Sequence, residues 1–61
     1  MTIEQARNNL DKPVVYRPAG GSAETGVITA VRGPWVFVLY AGGHHAKATD
    51  PGMLTLTEEQ P

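Results

Sequence analysis

The hydrophobic pattern of the chain changes period once, near Pro13. Ahead of it, Ile3, Ala6 and Leu10 fall at i, i+3 and i+7, the spacing of one face of a short α-helix. Thr2 and Gln5 stand in capping-box positions, Thr2 accepting from the backbone while Gln5 reaches back to it. Asn8 and Asn9 are poor helix formers, and Pro13 biases Lys12 toward extended geometry. The pattern predicts a helix over residues 2–10, about two turns long and too short to persist without packing against something.

Beyond Pro13 the signals are those of strands. Val14-Val15-Tyr16-Arg17 is β-branched and aromatic. Residues 18–23, rich in Gly, Pro and Ser, read as a loop. Thr25 to Arg32 reads as a second strand and Gly33-Pro34 as a tight turn. Trp35 to Tyr40 is the strongest strand signal in the sequence. Gly42-Gly43 supplies the positive φ values of a two-residue hairpin turn, which would send His44 to Thr49 back antiparallel. Asp50-Pro51-Gly52 interrupts that strand as a 3₁₀ turn, and Met53 to Thr57 forms a last short strand. The expectation is one all-β domain of five strands, with a helix over 2–10, a barrel over 14–57 and a solvated tail over 58–61. Closure of so small a sheet into a barrel removes edges that would otherwise invite aggregation.

The third strand breaks the rule of alternation. A strand packed on one side alternates apolar with polar residues, yet all six residues from Trp35 to Tyr40 are apolar. Val36, Val38 and Tyr40 are assigned to the interior, with Val14 or Val15, Ile28, Val31, Leu54 and Leu56. The spacing of Ile28 and Val31 requires a bulge if both point inward. Trp35, Phe37 and Leu39 are left on the other face. Either the N-terminal helix lays Ile3, Ala6 and Leu10 over them, or part of the stripe stays open as a protein contact or self-association seam. Trp and Phe are favoured anchors of such contacts, and the loop carrying His44 and His45 is placed beside them.

Length and charge narrow the function classes. Sixty-one residues and 6.5 kDa exclude a two-domain enzyme and a substrate-engulfing cleft. No apolar run approaches the ~20 residues of a membrane span. With an early acid and no apolar h-region, the N-terminus does not read as a secretory signal, so the expected compartment is cytoplasmic. The net charge of −1 comes from five Lys or Arg interleaved with six Asp or Glu, without the basic stripe usual in nucleic-acid binders. Contact with nucleic acid would fall to Arg17, Arg32 and Lys47, as the alternative reading. With Gly42-Gly43 as the turn, Val38 faces Lys47 and Tyr40 faces His45. That puts Lys47 on the core face, so either the register is off by one or the Lys stem snorkels to the rim, near Asp50 or Glu24.

No catalytic constellation is visible. His44 and His45 are adjacent, so on a strand they point to opposite faces and do not chelate one ion together. The segment from Gly43 to Thr49 lacks the second Gly beside its Lys and the following helix of a phosphate loop. Ser22, the only serine, has no nucleophile-elbow pattern around it. A non-catalytic module without metal or cofactor is expected.

Two stretches carry a resemblance. Thr25-Gly26-Val27-Ile28-Thr29-Ala30-Val31, followed by a turn and Val36-Phe37-Val38-Leu39-Tyr40, is similar to the central hairpin of SH3-like small barrels of the KOW and Tudor type. Asp50-Pro51-Gly52-Met53-Leu54 resembles the 3₁₀ turn before their final strand. The Val36–Tyr40 run followed by Lys47-Ala48-Thr49-Asp50-Pro51 also resembles short proteins of actinobacterial phages and prophages. Covering residues 14–56, the likeness implies an SH3-like barrel, and a virion accessory or host-factor-binding protein of the virion or host cytoplasm.

Overall fold

Thr2 caps the first helix as its sequence predicts. Its hydroxyl accepts from the Gln5 N–H at 3.0 Å, and the Gln5 side chain accepts from the Thr2 N–H at 2.9 Å. A computed structural model describes residues 1–57. Their order is α1 (Ile3–Arg7), β1 (Pro13–Tyr16), β2 (Glu24–Arg32), β3 (Trp35–Tyr40), β4 (Lys47–Thr49), a 3₁₀ turn (Pro51–Met53) and β5 (Leu54–Leu56). The tail expected over 58–61 lies outside the described residues.

Helix α1 is shorter than the predicted 2–10. It ends at Arg7, with Asn8 as its C-cap. The chain then passes through Asp11 at φ 66°, a left-handed conformation that Asp tolerates better than most residues. Asp11 and Lys12 are thereby drawn onto β2, donating to and accepting from the Ile28 backbone at 2.7 and 3.2 Å.

The five strands form one antiparallel sheet in the order β4-β3-β2-β1-β5. Among the described residues no ladder joins β4 to β5; the 3₁₀ turn links them instead. The expected all-β architecture of five strands, one short helix and a 3₁₀ turn before the last strand is therefore present. The two edges are not zipped into a continuous ladder.

Arg32 pairs with Trp35 across Gly33-Pro34, and Gly33 has φ 58°. A positive φ at the first of two turn residues keeps the twist of a hairpin, which suits Gly. The expected bulge is present: the register shifts between Ile28 and Ala30, and the Thr29 hydroxyl donates to the Phe37 carbonyl at 3.1 Å. This extra residue lets Ile28 and Val31 both face inward, opposite Val38 and Val36.

The core is built on that inner face. Ala6, Val14, Ile28, Val36, Val38, Leu54 and Leu56 form a buried cluster, flanked by the partly buried Met1, Ile3, Tyr16, Val31 and Tyr40. Of the two β1 candidates, Val14 belongs to this cluster. Val15 is also buried, but alternation turns it to the other face, between Thr25 and Thr55.

Candidate functional site

The outer face of the sheet stays open because α1 serves the inner one. Ala6, at 0% exposure, completes the cluster of Val14, Ile28 and Val36. The alternative in which Ile3, Ala6 and Leu10 cover Trp35, Phe37 and Leu39 is thus overturned. Leu10 lies beyond the helix and is 47% exposed. The physical reason is length. A helix of one and a half turns presents one narrow face, and the inner side of the sheet, richer in large aliphatic residues, takes it.

Trp35 is 48% exposed and Leu39 37%, while Phe37 between them is half-buried. Strand pairing extends the stripe sideways: Val27 faces Leu39, Ala30 faces Phe37, and Ala48 flanks Phe37 from β4. A shallow groove bordered by Pro13, Val27, Leu39 and Ala41 continues it past the strand end. Sequence reasoning found the β3 stripe, and strand alternation already puts Val27 on the same side, but it missed the groove; the bulge at Thr29 is what sets Val27 directly opposite Leu39.

His44 and His45 do not sit on a strand. The Val38–Lys47 pairing holds as expected, but β4 begins only at Lys47, so Tyr40 and His45 do not pair. A turn closes early, the Gly43 N–H donating to the Tyr40 carbonyl at 2.9 Å with Gly42 at φ 80°. The two-residue hairpin opens into a six-residue connection because Gly42, Gly43 and the histidines bring little side-chain packing to a ladder, whereas β3 stays paired to β2. Both histidines are exposed there.

A second feature lies at the open end of the inner face. Tyr16 and Tyr40 meet edge to face, ring centroids 5.8 Å apart. Together with Glu24, Lys47, Thr49 and Asp50 they line a concave mouth. Tyr40 oxygen and Thr49 Oγ1 are 2.7 Å apart, either able to donate to the other, and Thr49 Oγ1 also lies 3.2 Å from the Lys47 carbonyl, which can accept from it. The Tyr40 oxygen keeps acceptor capacity whichever way the bond runs. Burial pushes the Tyr40 hydroxyl above its ordinary value of 10.0, with Tyr16 and Glu24 adding to the rise and the Thr49 bond opposing it. Asp50 caps the 3₁₀ turn, accepting from the Gly52 N–H at 2.9 Å.

Lys47 accordingly sits on the inner side of β4, exposed at the rim. The three basic residues of the alternative reading are not gathered. Arg17 follows Tyr16, whose partner Glu24 opens β2, while Arg32 ends β2 beside Trp35. Lys47 lies on the inner side of the sheet and Arg32 on the outer, so they share no continuous basic surface.

Among the described residues no group of three or more His, Asp or Glu is placed to hold a metal ion, and no helix is long and apolar enough to cross a membrane. No family model matches the chain, and neither does any curated protein or solved structure.

Proposed function

We propose that this protein is a non-catalytic protein-interaction module that docks a partner on the outer face of its sheet, through Trp35, Phe37 and Leu39 with Val27 beside them. One observation carries the reading. The single helix among the described residues packs on the inner face, leaving Trp35, Leu39 and Val27 each more than a third exposed on the other. Contiguous exposed apolar residues on a small domain mark interaction surfaces. At roughly 25 cal/mol per Å², covering about 200 Å² of such a face contributes about 5 kcal/mol to a complex, before the cost of association. The exposed loop bearing His44 and His45 extends the contact at the sheet end. A partner with its own apolar patch fits this surface, and the phage-protein resemblance favours a virion component or a host factor.

The test pairs mass measurement across concentration with capture of a stoichiometric partner from the native host. Trp35→Ala abolishes capture while Arg7→Ala, on the helix, preserves it. Unchanged capture by Trp35→Ala, together with a strictly monomeric mass, overturns the reading. Binding to DNA or RNA that falls steeply with salt, with no protein partner, transfers the function to nucleic acid.

A further inference from the structure

We infer that the occupant of the outer face is a second copy of this chain, bound across a two-fold axis so that each Trp35 enters the groove of the other copy. The inference rests on the docking reading of that face and adds the identity of the partner.

The face carries a projection at one end and a recess at the other. Trp35 opens β3 beside the Gly33-Pro34 turn and is 48% exposed. Leu39 lies four residues further along the same strand, about 13 Å away at the rise of a β-strand. Around Leu39 is the groove bordered by Pro13, Val27 and Ala41, and glycines of β2 and of the β3–β4 connection keep it free of side chains. Phe37 stands midway between projection and recess, on the same side of the sheet. A two-fold axis lying between two such faces and crossing β3 at Phe37 reverses the strand. It brings each Trp35 over the other copy's groove and pairs the two Phe37 rings at the centre. Sheets stacked about 10 Å apart, with strands within about 30° of each other, have room for this interdigitation. A partner of different sequence would have to bring both a ring and a recess at the same spacing. A second copy brings both, and the symmetric pair closes without leaving either patch open.

Charge and area agree with this occupant. Among the side chains that the described strands turn outward, Arg32 is the one charged group, and it sits at the Trp35 end. The axis holds the two Arg32 at opposite ends of the interface, where their guanidinium groups reach water and do not repel each other. Five strands about 4.8 Å apart, with β3 six residues long, make a face of about 20 Å by 20 Å. That is about 400 Å² per copy and about 800 Å² in all, below the ~1,200–2,000 Å² of stable interfaces. The dimer is therefore weak and reversible, with a dissociation constant of about 10–100 μM.

The test is sedimentation equilibrium of the full chain from about 1 μM to about 1 mM, where a reversible monomer–dimer equilibrium is expected. Trp35→Ala removes the projection and Ala41→Glu fills the recess with a charge. Each weakens the dimer about thirtyfold or more, because each change falls on both halves of the interface. Both positions are exposed, so the fold tolerates the substitutions, which unchanged far-UV circular dichroism checks. An equimolar mixture of the two variants associates about tenfold more tightly than either alone. In the mixture, Trp35 of the Ala41→Glu chain still finds an intact groove on the Trp35→Ala chain. A monomer at every concentration overturns the inference. Dimers that Trp35→Ala leaves unchanged, or a mixture no tighter than its components, overturn it as well. The docking reading stands or falls separately: a monomeric chain whose capture of a host protein is lost in Trp35→Ala keeps that reading and removes the second copy.

Discussion

Gly26 shows how tightly single residues are constrained in this sheet. It is buried in β2 between Val14 and Tyr40, the partners on either side. A Cβ built there would lie 2.6 Å from Val38 Cγ1, 2.8 Å from the Leu39 carbonyl oxygen and 3.2 Å from Tyr40 Cα. Two of those three neighbours are backbone atoms, which have no rotamer to change. Gly26→Ala therefore forces β3 away from β2, at a cost of about 1–3 kcal/mol from overpacking. Urea unfolding followed by circular dichroism should show the midpoint falling accordingly. A neutral result would mean the two strands separate there without cost, and that Gly26 is a matter of composition. Gly42 is constrained for another reason: it has φ 80° and no atom within 4 Å of a built Cβ, so only its backbone conformation favours glycine.

At the scale of elements, α1 depends on its start. A helix of five residues has no intrinsic stability to draw on. The reciprocal Thr2–Gln5 bonds satisfy two of its free N–H groups, and Ala6 and Ile3 fasten it to the core. Thr2→Ala should cost about 1 kcal/mol and Thr2→Ser almost nothing, read from the same urea midpoints. Equal midpoints for native and Thr2→Ala would show that packing alone holds the helix. Such elements were legible in the sequence to the degree that local chemistry decides them. The capping box, the Gly33-Pro34 turn, the bounds of β3 and the need for a bulge near Thr29 are all local signals. The end of α1, the late start of β4 and the side of the sheet that the helix covers depend on contacts far apart in the chain. The outer stripe was legible because β3 has no polar face to hide. The tyrosine mouth was not, since Tyr16, Glu24, Tyr40 and Asp50 come from separate segments and look ordinary in each. The Val38–Lys47 register was the available clue, as it had already put a lysine at the rim of the inner face.

For the molecule as a whole, two apolar faces on one sheet imply very unequal sensitivities. A single core in a chain this small supplies about 3–5 kcal/mol of net stability. Ile28 is fully buried at its centre, among the largest side chains there. Ile28→Ala removes about 2–5 kcal/mol through lost transfer energy and the cavity left behind. That is comparable to the whole stability, so the variant should be largely unfolded at 25 °C. Leu39 is equally apolar and only one strand away, but it faces outward. Leu39→Thr keeps a good strand former at an exposed position and should shift stability by no more than about 0.5 kcal/mol. Far-UV circular dichroism and urea titration of the two variants side by side measure the contrast. If Leu39→Thr destabilises as much as Ile28→Ala, the outer stripe is holding the isolated chain together. A large effect confined to Ile28→Ala means that Trp35, Phe37, Leu39 and Val27 contribute little to folding. Their apolar surface is then free to be buried by another molecule.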